Sequence, residues 1–208
     1  MIQLNEYHDN IIPLLKVPVL QKITVLTVFF FFRVCHAGAE EIWRLRYSVP
    51  TSAESEITRG SSKASKKLNT SGHSGNMVFA NGIGFGYSTM RTNGNLGGID
   101  YKFKNHSLDL AYTIGNDLSY TLGAGRLVYG RGEQSMSGTS YVTESSSGEA
   151  LFMNFGIPVL GGELLLGYRQ HNIEYKNFQS QISGQTVMLE DTVKLLSSQV
   201  NAGFGFLF

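Results

Sequence analysis

Residues 201–208, NAGFGFLF, close the chain and decide how the rest of it is read. Successive side chains of a strand point to opposite faces, so this stretch sets Val200, Ala202, Phe204, Phe206 and Phe208 on one face and Gln199, Asn201, Gly203, Gly205 and Leu207 on the other. A soluble sandwich strand also alternates. Three phenylalanines at two-residue steps, the last of them ending the chain, fit better a face that meets hydrocarbon.

The totals agree with that reading. Charged residues make up 16% of the 208 residues, against roughly 25% in soluble domains. Gly (24), Phe (13) and Tyr (10) are abundant. Low charge, aromatic girdles and small residues that relieve crowding inside a narrow barrel are the composition of transmembrane strands. A mean hydropathy near zero excludes a bundle of membrane helices. The formal charge of +1 leaves no broad footprint for nucleic acid, and the single Cys35 excludes an internal disulfide or a cysteine-rich zinc site.

At the other end, ITVLTVFFFF (23–32) is a ten-residue apolar run preceded by Lys16 and Lys22 and followed by Ala37, Gly38 and Ala39. This is the layout of a secretory signal peptide, and the run is too short for a spanning helix, which needs roughly 20 apolar residues. The expected division is a signal peptide at 1–39 with cleavage after Ala39, and a barrel at 40–208. The alternative is an uncleaved N-terminal anchor. Arg33 and the length of the leader are irregular, and a start near Leu14 to Val17 would shorten it.

The remainder reads as alternating segments separated by turn residues, eight in number. They are 41–49, 76–89, 99–104, 107–114, 118–130, 150–160, 163–175 and 196–208. Segment 51–75, rich in Ser, Thr, Gly and Lys, reads as a long loop, and Asn105-His106 as a tight reversal. Leu127 and Tyr129 break the parity of Leu118, Tyr120 and Leu122, which predicts a bulge at 123–125. With the C-terminus in the periplasm, 51–75, 136–148 and 176–194 become outer loops. Residues 91–97, 115–117 and 161–162 become periplasmic turns.

On these residues the chain resembles the small bacterial outer-membrane β-barrels of the OmpA transmembrane-domain and opacity-protein kind. The resemblance implies an all-β fold: an eight-stranded antiparallel up-and-down transmembrane barrel in the outer membrane. It also implies that Phe204, Phe206 and Phe208 form the C-terminal signal read by the barrel-assembly machinery. Expected partners are outer-membrane lipid, that machinery and an extracellular ligand or host surface, with no nucleic acid and a monomeric chain.

The polar residues predicted to face inward are Arg44, Arg46, Asp100, Lys102, Lys104, Asp109, Glu163, Arg169 and His171. Eight strands enclose a lumen just wide enough for side chains to fill, and buried charges must pair, so these residues are expected to plug the barrel with salt bridges and hydrogen bonds.

Other motifs carry less. GIGFG (82–86) lies inside an alternating strand with no helix after it, so it reads as small lumen-facing residues, not a dinucleotide loop. GHSGN (72–76) lacks the last glycine of a nucleophile elbow. The lipid A deacylase family pairs a His with a Ser two residues later. Here His171 is followed by Asn172 and Ile173, so the nucleophile is missing. His73, His106 and His171 have no metal-ligand spacing, and no cofactor is expected. Three functional classes follow in order: a non-enzymatic surface or envelope protein acting through polar outer loops, a lipid-modifying enzyme, and a small pore.

Overall fold

Period-two alternation governs the described residues, which in the computed structural model are 43–60, 62–66, 68–115, 118–182 and 185–208. The leader predicted at 1–39 lies outside them. The strands are β1 (Arg44–Arg59), β2 (Ser62–Lys66), β3 (Asn69–Val78), β4 (Ile83–Leu96), β5 (Ile99–Ile114), β6 (Ser119–Met136), β7 (Thr139–Thr143), β8 (Ser146–Val159), β9 (Gly162–Ile182) and β10 (Gln185–Leu207). β2 and β7 are the outer portions of the strands that continue as β3 and β8, so the ring has eight antiparallel strands.

β10 closes that ring on β1, from Arg44 opposite Leu207 to Arg59 opposite Val193. Trp43 and Phe208 exchange both backbone hydrogen bonds at the seam, at 3.0 and 2.9 Å. Pro50 has no N–H to give the ladder, and the register slips there between Pro50 and Ser52.

The eight strands of the ring are not the eight segments read from the sequence. Residues 51–75 are not a loop: β1 runs on to Arg59 and the chain returns through β2 and β3. Ser, Thr and Ala alternate there, with Ser55 and Ile57 inward, and small polar side chains gave no hydrophobic signal. The segment 76–89 is a hairpin, turning at 79–82 with Gly82 donating its N–H to the Phe79 carbonyl. Segments 99–104 and 107–114 are one continuous β5, with no reversal at Asn105-His106.

Continuity of β5 fixes a single parity along it, which reverses the expectation for its first half. Tyr101 and Phe103 point inward and are 3% and 2% exposed, whereas Asp100, Lys102 and Lys104 lie on the outside. The bulge in β6 falls at Val128, where Ser107 pairs with Leu127 and His106 with Tyr129, three residues later than predicted. Residues 91–96 belong to β4, and the turn after them lies at the end of the barrel away from Trp43 and Phe208.

Three hairpins turn through two residues that both have positive φ: Gly97 and Gly98, Ser137 and Gly138, Leu160 and Gly161. That is the backbone of a type I′ turn, whose twist matches the strands it joins. Much of the predicted loops 136–148 and 176–194 is accordingly paired β structure, 139–143 with 132–136 and 178–182 with 185–189. β10 is 23 residues long and β9 is 21, about twice the roughly 9–11 residues that cross a membrane at a tilt.

The extra length divides the barrel in two along its axis. In the half that holds Trp43 and Phe208, the outward face includes Leu45, Tyr47, Phe85, Leu122, Leu151, Leu166 and Phe206, all exposed, while the inward face carries buried charged and polar residues beside Val78, Phe152 and Leu165. In the distal half the polarity is reversed. Ile57, Leu68, Met90, Phe103, Ile173, Tyr175, Phe178, Val193 and Leu195 form a buried apolar core inside the barrel. Lys102, Arg131, Lys176 and Lys194 face outward there. One half is built for hydrocarbon around it and the other for water.

Candidate functional site

Of the residues predicted for the lumen, Arg44, Arg46, Asp109, Glu163, Arg169 and His171 are brought together inside the barrel, each 3–4% exposed. Asp100 and Lys102 are not among them. Asp100 accepts a hydrogen bond from Asn95 (2.8 Å) and Lys102 meets Glu133 at 3.5 Å, both on the outer surface. The reason is position: they sit in the distal half, where the interior is apolar.

Near the Trp43–Phe208 seam, Arg46 on β1 reaches across the lumen to Glu163 on β9. Its guanidinium donates to both carboxylate oxygens, from Nε at 2.5 Å and from the terminal nitrogen at 3.0 Å. It also donates to Ser119 Oγ at 2.9 Å and to Thr121 Oγ1. Ser119 in turn donates to Glu163 Oε2 at 2.8 Å. Below this pair, Arg44 donates to the Gly115 carbonyl at 2.7 Å.

A second bidentate pair lies further up. Arg169 donates to the two oxygens of Asp109 at 2.6 and 3.3 Å and to Ser88, and its guanidinium lies 4.4 Å over the Phe152 ring. A gap of about 10 Å³, the room of one water, is lined by Ser48, Arg169, His171, Gln199 and Asn201. Above it come the hydroxyl ladders, Ser48 with Ser74 (2.7 Å) and Ser55 with Ser197 (3.0 Å). Tyr175 then donates to Asn105 Oδ1 at 2.6 Å at the base of the apolar core.

Both carboxylates fit because the wall beside them is glycine. A Cβ on Gly156 would stand 2.4 Å from Glu163 Oε2, and one on Gly125 would stand 2.4 Å from Asp109 Oδ1. Gly156→Ala is therefore expected to lower stability by about 1–3 kcal/mol, the usual cost of overpacking. Urea unfolding in lipid vesicles measures it.

Sequence reasoning passed over a second feature, on the outer surface where β3, β4 and β5 cross from the apolar to the polar half. A cavity of about 520 Å³ opens there, lined by Ser71, Gly72, His73, Tyr87, Thr89, Met90, Arg91, Lys104 and His106. Lys104 had been expected in the lumen, and β5 read as two strands concealed that Arg91 and Lys104 are directly paired. His73 stacks on Tyr47 (centroids 6.0 Å apart), His106 is edge-on to Tyr129 (5.4 Å), and the Tyr87 hydroxyl bonds His106 Nδ1. Among the described residues no three His, Cys, Asp or Glu side chains converge to hold a metal ion.

Known structures carry the same architecture. Neisserial surface protein A is similar over 80% of this chain and 97% of its own, at 15% identity and a TM-score of 0.55. The outer membrane protease OmpT of Escherichia coli is similar over 83% and 99%, at 8% identity and a TM-score of 0.53.

The chain has the fold of the small bacterial outer-membrane β-barrels.

At these identities the likeness is one of fold, and the pair, a surface protein and a protease, show that this architecture serves unlike tasks. No family model matches the sequence, and no curated protein matches it.

Proposed function

We propose that the protein is a non-enzymatic outer-membrane barrel that holds a rigid β crown above the membrane for structural or surface-interaction work, such as adhesion or envelope integrity. The observation that carries this reading is the polarity reversal. A buried apolar core stiffens the hairpins beyond the membrane, so their tips are presented on a fixed frame. Beyond the lipid band, Lys176 and Lys194 bridge Glu174 at 2.6 and 3.4 Å, and the hydrogen bond from Lys176 holds that carboxyl below its usual range. At the β9–β10 tip Val187 and Met188 are exposed (39% and 54%), apolar side chains in a position otherwise given to water.

The test is a cell carrying Val187→Ser and Met188→Ser in the otherwise intact barrel. Surface adhesion or detergent resistance should fall while the protein keeps its heat-modifiable migration on gels. Unchanged adhesion, permeability and detergent resistance, both in that strain and in a deletion strain, would remove the reading.

In this reading residues 1–39 act as the export leader and Phe204, Phe206 and Phe208 as the signal for the assembly machinery. Phe204 and Phe206 meet edge to face at 5.0 Å on the outer surface, and Phe208 ends the seam. Deleting Phe208 is expected to leave export intact and lower the yield of assembled barrel, measured by the heat-modifiable fraction of membrane extracts.

The lipid-enzyme alternative has one observation in its favour: the Thr89 hydroxyl lies 3.3 Å from His73 Nδ1. A general base needs a group to orient it, and the cavity around this pair is lined by no carboxylate. Changed lipid A mass spectra on deletion would favour it. The pore alternative meets two bidentate ion pairs and an apolar core in series. Planar-bilayer recordings of the purified protein are expected to show no conductance steps, and reproducible steps would reinstate it.

A further inference from the structure

Cross-strand register turns the outer face of β3 to β6 into a stack of rows. Lowest is Met77, Phe85, Leu110 and Ala124, all apolar. Next is Gly75, Tyr87, Leu108 and Arg126, then His73, Thr89, His106 and Tyr129. Above these the row reads Ser71, Arg91, Lys104 and Arg131. Three cations thus stand directly opposite one another on three adjacent strands, an arrangement that is destabilising when nothing neutralises it.

Among the described residues no carboxylate lies within ion-pair distance of Arg91 or Lys104, and none lines the cavity they share. Glu133, one row higher, is engaged by Lys102. Small residues, Ser71 and Gly72, leave the space open on one side, and Tyr87, His73 and His106 give it an aromatic and hydrogen-bonding floor.

We propose that this cavity is a binding site for the phosphorylated headgroup of an outer-leaflet lipid, with the phosphate held between Arg91 and Lys104. A guanidinium supplies a fork of donors that fits phosphate oxygens, and an ammonium adds a point charge. The His73 and His106 rings and the Thr89 hydroxyl offer further hydrogen bonds to the headgroup. Position selects a lipid over a free anion. Beneath the cations, past the row of Thr89 and His106, the wall becomes Tyr87, Leu108, Phe85 and Leu110, so a molecule with its phosphate here lays its acyl chains along an apolar face. The site requires that the apolar half lie in a membrane, and it is independent of what the hairpin tips contact.

The experiment is native mass spectrometry of the folded protein extracted in detergent and titrated with phosphatidic acid, with diacylglycerol of the same chains, and with inorganic phosphate as competitor. The parent protein should retain one phosphatidic acid, ignore diacylglycerol and keep its lipid in millimolar inorganic phosphate. Arg91→Ala with Lys104→Ala should weaken retention by about thirtyfold, two surface cations' worth. Lys176→Ala with Lys194→Ala, cations elsewhere on the outer face, should leave it unchanged. Heat-modifiable migration confirms that each variant is folded. Equal retention by the Arg91→Ala, Lys104→Ala protein, equal binding of diacylglycerol, or displacement by inorganic phosphate would each overturn the proposal, the last by making the site one for free anions.

Discussion

Glu163→Ala is expected to destabilise the folded barrel by about 3–5 kcal/mol, the cost of leaving a buried charge without its partner. Arg46 is 3% exposed and sits in the half of the barrel surrounded by hydrocarbon. Without Glu163 it keeps the hydroxyls of Thr113, Ser119 and Thr121, which share its hydrogen bonds but carry no charge. Urea unfolding in vesicles, followed by the fluorescence of Trp43, the chain's single tryptophan, reads the loss. Exchanging both members of the pair for apolar residues of similar volume is expected to cost far less, because the penalty comes from the orphaned charge. A Glu163→Ala protein within about 0.5 kcal/mol of the parent would show that the pair does not hold the lumen shut.

The second large effect concerns the outer wall. Leu122 is 68% exposed in the middle of the apolar band, and Leu122→Arg is expected to cost about 2–4 kcal/mol, the depth-dependent cost of a cation on the lipid face. Val187→Arg places the same side chain at an exposed aliphatic position on the distal tip, and there the change should stay within about 0.5 kcal/mol. The contrast between the two is the informative quantity. A barrel surrounded by water over its whole height would tolerate both equally.

The strands that meet lipid were the legible ones. Leu118, Tyr120 and Leu122, Leu164, Leu166 and Tyr168, and the terminal run from Val200 to Phe208 alternate a bulky apolar residue against a small or polar one. Their outward faces and the inward placement of Arg44, Arg46, Asp109, Glu163 and Arg169 follow from that alternation. Where small and polar residues dominate both faces of a strand, as in Ser52 to Arg59 with Ile57 its one large apolar side chain, period two survives in the backbone but loses its hydrophobic contrast. That stretch therefore read as a loop.

Tyr101, Phe103, Lys102 and Lys104 were misplaced for a different reason. The sequence rule that aromatics face outward holds only at membrane depth, and nothing local to 99–104 says that this segment stands above it. The decisive fact is non-local: β4, β6 and β9 all extend past the apolar band, so the interior at that height must be apolar and the exterior aqueous. The cavity at Arg91 and Lys104 was hidden by the same error. Its two cations are 13 residues apart in sequence and meet only because β5 is unbroken and pairs with β4 in the register Arg91 opposite Lys104.

The reversal of polarity along the barrel axis can be measured position by position. Spin labels at outward sites 45, 122, 151 and 206, and at outward sites 102, 131, 176 and 194, would be compared in vesicles by their collisions with oxygen and with a water-soluble nickel chelate. The first set should favour oxygen, as hydrocarbon does, and the second the nickel chelate, with the crossover at the row of His73, His106 and Tyr129. Nickel-accessible labels at all eight sites would contradict the placement of the barrel in a membrane. Oxygen-favouring labels at both sets would contradict the crown above it.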